Sequence, residues 1–152
     1  MIAIINSIKV MDEINRLLVK KYPEYTVYID LCPKNFDRPS FLIESIRKTI
    51  DSANKGTVTV TEYFSITCFD ETDDYFNSST VNLLNIQQEV LDVFRNGYIN
   101  VDDRAIKVKA STGGRNFSEA YVDLQFEYFD DRSDDEDTTP KIQEVITTIK
   151  EE

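Results

Sequence analysis

The chain has 152 residues, a formal net charge of −11 and no histidine. That length suits one domain able to bury its own core, and the missing histidine removes Ser-His-Asp and Cys-His catalysis and most transition-metal sites. Lysines and arginines form no cluster of the kind that binds nucleic acid, and no apolar run nears the about 18 residues of a membrane span.

Residues 3–22 read as a first amphipathic helix. Ile4, Ile5, Ile8, Met11, Ile14, Leu17 and Leu18 recur at helical spacing, Lys20 and Lys21 suit its C-terminal dipole, and Pro23 stops it. The start, Met1–Ile5, lacks the basic region of a signal peptide. Tyr25, Val27, Ile29 and Leu31 then alternate with Thr26, Tyr28 and Asp30, which predicts a strand.

Pro33 to Pro39 is a loop, and Ser40–Ile46 begins a second strand that continues, more polar, through Arg47–Ile50. Ser52–Gly56 is a turn in which Asn54 and Gly56 supply left-handed backbone. Thr57–Phe69 follows and is long for a strand, which usually runs about 5–6 residues. Val58, Val60, Phe64, Ile66 and Cys68 share one face, and Thr57, Thr59, Thr61, Tyr63, Ser65 and Thr67 share the other. Residues 40–70 thus read as an extended hairpin whose outer half projects from the body and needs a neighbour. The alternative is a strand pair folded fully onto its own helices. Cys32 and Cys68 sit in apolar strand-like runs and read as buried, reduced thiols, as in a protein made in the cytoplasm.

Asp70–Asp74 reads as a solvated turn, lacking the glycine and terminal glutamate of a calcium loop. Ser78, Ser79 or Thr80 caps a second helix with Val81, Leu84, Gln88, Leu91 and Phe94 on one stripe, and Gly97 ends it. Tyr98–Val101 leads to a turn at Asp102–Asp103, then Ile106, Val108 and Ala110 alternate as a strand. Ser111–Asn116 is a hairpin connection rather than a phosphate loop, since it lacks the lysine and the following helix. Val122, Leu124, Phe126 and Tyr128 form the closing strand.

The expected organisation is one α+β domain over residues 1–130, an acidic linker over 131–140 and a docking segment over 141–152. Ile142, Val145, Ile146 and Ile149 fit a short helix, while Val145–Ile149 equally fits an added strand. The order is α-β-β-β-α-β-β plus the tail: two helices packed on a mostly antiparallel sheet, with the long hairpin projecting.

This order resembles the phage tail terminator, or tail completion, proteins of prophages and phage-tail-like particles (tailocins) of Gram-positive bacteria. The resemblance rests on the first helix running into Tyr22–Tyr28, on Arg38–Ile43, on Tyr63–Phe69, on the helix Leu84–Leu91 and on Tyr121–Tyr128. It implies a structural protein without catalytic residues or cofactors. Such proteins form a ring, commonly a hexamer, that caps the finished tail tube, stops its polymerisation and serves as the joining surface to the head or neck. The implied partners are further copies of itself and the tube protein, with sheath and head-neck or collar proteins as candidate neighbours. The implied location is the host cytoplasm during assembly, then the virion or tail particle.

The subunit-interface candidates are Arg38, Arg47, Lys48, Thr57, Thr59, Thr61, Tyr63 and Arg115. An acidic lumen would pass DNA without adhesion, although a merely solvated surface also explains the charge. Two rival readings are a small acidic inhibitor or immunity-type protein masking a basic partner, and an enzyme using Asp73 and Asp74 with a divalent ion.

Overall fold

The structure, a computed structural model, describes residues 5–75 and 77–131. Its elements are α1 (Ser7–Lys21), β1 (Thr26–Ile29), β2 (Ser40–Ser52), β3 (Thr57–Phe69), α2 (Thr80–Val93), β4 (Tyr98–Val101), β5 (Arg104–Arg115) and β6 (Glu119–Asp131). The strands form one sheet in the order β1-β2-β3-β6-β5-β4. Among the described residues only the β1–β2 pair is parallel. The α+β class and the two-helix, mostly antiparallel design therefore hold, with one more strand than expected. β4 is that strand, pairing Ile99 with Ile106 through a two-residue turn at Asp102 (φ 50) and Asp103 (φ 64). Two positive φ values in succession give the turn whose twist suits a tight hairpin.

Both helices lie on one face of the sheet. Phe41, Ile43, Phe64, Ile66, Val122, Leu124, Phe126, Ile106 and Val108 point into that layer, and Val10, Ile14, Leu18, Leu83, Ile86 and Val90 meet them. Ile8, expected in the first stripe, is exposed. Asn6 caps α1 by accepting from the Ile8 N–H, and the buried row 10-14-18 steps by one helical turn away from Ile8. In α2 the stripe is rotated from the expected one. Val81 and Leu84 are exposed, and Leu83, Ile86, Gln87 and Val90 are buried. This helix is apolar on more than one side, so periodicity did not choose the buried side. Gln87 marks that side: its Nε2 donates to the Gly114 and Tyr121 carbonyls at 2.9 and 2.8 Å.

Several local expectations shift as well. The turn between β2 and β3 has no positive φ; the Asn54 side chain accepts from the Gly56 N–H instead. Gly114, at φ 91, sits in the irregularity of β5 between Thr112 and Arg115, just before the β5–β6 turn. A Cβ on neighbouring Gly113 would lie 2.8 Å from the Asp123 carboxylate. Cys68 is buried in β3, whereas Cys32 is half-buried in the loop after β1. Asp73, in the acidic turn, accepts from the Tyr75 and Asn77 backbone. The docking segment, the linker from residue 132 onward and Ile4 lie outside the described residues.

Candidate assembly interface

β3 does not project alone. It pairs with β6 over its whole length, from Thr57 opposite Asp131 to Phe69 opposite Glu119. Val60 and Glu62, in its outer half, are buried. The exposed member of the hairpin is β2. β1 accompanies it only from Ser40 to Ile43, because the chain turns away at Asp30 (φ 65), whose N–H donates to the Ile43 carbonyl. From Glu44 to Asp51 the described residues pair β2 with β3 alone. This is a bare sheet edge, the kind of surface that pairs with another chain.

A bulge between Ser45 and Arg47 changes which side chains face the helices. Before it, Phe41 and Ile43 point inward and are buried. After it, Lys48 and Ile50 lie on the helix side, opposite Glu62 and Val60, and Arg47 and Thr49 lie on the open side. One extra residue thus turns the Arg47 guanidinium to the open side and sets Lys48 and Ile50, both still exposed, on the helix side. Arg47 lies over the Tyr63 ring at 4.4 Å, a cation–π contact. Lys48 Nζ reaches Ser7 Oγ at 3.3 Å. Ile46 and Ile50 remain exposed on this stretch.

The open face continues inward from Arg47. Arg47, Tyr63, Ser65, Lys109, Asp123 and Gln125 line a shallow cup of about 530 Å³ there. Its charges are mixed, with Arg47 and Lys109 set against Asp123, and beyond it Lys107 stands opposite Glu127. Of the predicted residues, Arg47, Thr57, Thr59, Thr61 and Tyr63 therefore share one surface, while Lys48 belongs to the other side of the sheet. Arg38 lies at the far end of the sheet. Its guanidinium donates to the Asp70 and Ser118 carbonyls at 2.9 and 3.2 Å and stands over the Phe36 and Phe69 rings. It ties the Pro33–Pro39 loop to its own fold. Arg115 is exposed at the same far end, opposite Ala120.

Sequence reasoning passed over a polar group beneath the hairpin. Glu62 is buried and accepts from the Tyr128 hydroxyl at 2.5 Å. Arg104 pairs with buried Asp130 at 2.8 Å, and Asp130 also accepts from the Ile5 N–H. Burial first, then the hydrogen bond to Glu62, holds the Tyr128 hydroxyl far above the usual tyrosine range. The signal was present in the alternation: Glu62 occupies an inward position between Val60 and Phe64. Burial also pushes the Cys68 thiol up to about 12.

A family model described as phage tail terminator protein matches residues 9–138. The chain belongs to the phage tail terminator protein family. A terminator of this family is a structural component of a phage tail, which interacts with other tail proteins, and the family is not a catalytic one. The match spans every described element except the start of α1. No curated protein matches the chain. No helix among the described residues is long and apolar enough to cross a membrane.

Proposed function

We propose that this protein forms a ring, with six subunits, that caps the finished tail tube, ends its polymerisation and presents the surface to which the head or neck joins. The observation that carries the reading is the bare edge of β2 at Glu44–Asp51, flanked on the open face by Arg47 stacked on Tyr63. A closed ring needs two different surfaces on each subunit, one meeting the other on the next copy. An unpaired edge beside a cup of mixed charge is suited to such a contact.

The neighbours are the tube protein below and sheath, collar or neck proteins around and above. The net charge of −11 suits a lumen through which DNA passes without adhering. The subunit needs no cofactor or metal for this work, and none of its groups has a catalytic part. Assembly takes place in the bacterial cytoplasm before the tail is complete, in a phage or in a headless tail particle. The acidic-inhibitor reading is not favoured, because Arg47, Lys107 and Lys109 break the acidic character of the open face.

The test mixes the purified protein with polymerising tube protein and images both by negative-stain microscopy. Rings seated on tubes of limited length are expected. Unlimited tubes beside a persistent monomer would overturn the reading.

A further inference from the structure

The bare edge of β2 raises the question of what covers it. Arg47, Lys48 and the bulge discourage indiscriminate pairing at this edge, yet Ile46 and Ile50 stay exposed on it, which suits a specific added strand. The chain itself holds a candidate. Ile142–Ile149 spans the same number of residues as Glu44–Asp51, and its Val145-Ile146-Thr147-Thr148-Ile149 core is β-branched throughout. We propose that Ile142–Ile149 of one subunit adds as an extra strand to the Glu44–Asp51 edge of β2 in the neighbouring subunit. This rests on the ring reading and gives the subunit contact its occupant.

Reach supports it. β6 ends at Asp131, opposite Thr57, so the chain leaves the sheet at the hairpin-tip end. A strand added to its own β2 edge would lie three strand spacings away, about 14 Å. Residues 132–141, when extended, span about 33–36 Å. The connection is thus more than twice as long as a return to its own edge requires.

Side-chain placement agrees. In an extended segment Val145, Thr147 and Ile149 lie on one face and Ile142 and Ile146 on the other. Either orientation sets a branched apolar side chain near Ile50 on the helix side and Ile46 on the cup side. The acidic run Asp134–Asp137 precedes the segment, and the β2 stretch and its turn carry Arg47, Lys48 and Lys55 against Glu44 and Asp51, a slight positive excess. These opposite charges favour the encounter.

Exchange between subunits, rather than return of the tail onto its own edge, follows from the ring. A ring requires a donor and a different acceptor on every copy, and the tail and the β2 edge are such a pair. Main-chain hydrogen bonds then supply adhesion, and the position of the valine and isoleucines supplies register.

The experiment uses full-length protein with Cys32→Ser. One preparation carries Arg47→Cys, Thr49→Cys or Asp51→Cys, and a second carries Val145→Cys, Thr147→Cys or Ile149→Cys or, for the opposite facing, Ile142→Cys or Thr148→Cys. Each pair is mixed, assembled on tail tubes and oxidised gently. A covalent two-chain product is expected for the pairs in register. Adding Ile146→Pro to the second preparation should lower its yield at least about tenfold, since proline removes a ladder donor. Absence of that product in every pair overturns the proposal. So does a cross-link that forms only when both cysteines sit in one chain. Negative-stain images of the same samples judge the ring separately. Rings without cross-links sink the strand exchange alone, and cross-links without rings uphold the exchange while sinking the ring.

Discussion

Residues 40–43 of β2 lie between β1 and β3 and under the helices, whereas residues 44–51 of the same strand have β3 on one side only. The inner part holds Phe41 and Ile43, both fully buried. The outer part exposes Ile46, Arg47, Lys48, Thr49 and Ile50. One continuous strand therefore belongs to the core at one end and to the surface at the other, and the bulge at Ser45/Arg47 is the boundary. β3 makes the contrast sharper: it lies alongside the whole of β2 yet is never an edge, since β6 covers its other side. The length of a strand is therefore a poor guide to its availability. Position in the sheet order decides it.

The largest effect should come from the inner side of that boundary. Phe64 is fully buried and meets Phe126 edge-on, with ring centroids 5.7 Å apart. Phe64→Ala should cost about 3–5 kcal/mol of stability, read by chemical denaturation. A cost under about 1 kcal/mol would break the assignment of this half to the core.

A pH series gives an intermediate effect. The folded Cys68 thiol, raised by burial from 9.0 to about 12, keeps its proton where the unfolded chain has lost it. The native state then binds more protons than the unfolded state, so this group's contribution is complete below about pH 9 and declines as pH rises towards 12. Denaturation curves on either side of pH 9 should show stability falling on the alkaline side. Cys68→Ala should make that fall shallower, whatever it does to stability at neutral pH. An unchanged slope would mean that the thiol is reached by water in the folded protein.

The smallest stability change should come from the outer side. Arg47→Ala removes an exposed side chain and one contact with Tyr63, and should alter stability by no more than about 0.5 kcal/mol. Its effect should appear instead in tube capping, as longer tubes in the mixed polymerisation assay. A large loss of stability with normal capping would invert the comparison.

Much of this was readable in the chain. The strand Thr57–Phe69 has the bounds that its alternation predicts, because period-two patterning is a local property of a half-buried strand. Ser79 as a cap and the stop of α1 before Pro23 follow from equally local chemistry, whereas α2 ends at Val93, ahead of the expected stop at Gly97. The interface candidates were legible only as residue types. Sequence put Arg47 and Lys48 together, and the structure separates them onto opposite faces, since neighbours along a strand point apart. Arg38 read as a surface group, yet two carbonyls distant in sequence claim its guanidinium.

The sequence by itself determined both helices, five of the six described strands, the α+β class and the family, all of which depend on spacing and composition within short windows. Only the tertiary structure decided which stripe of α2 is buried, that Glu62 finds Tyr128, and that β2 rather than β3 carries the free edge. Those outcomes depend on which strand lies beside which, and sheet order is set by contacts between segments far apart in the chain.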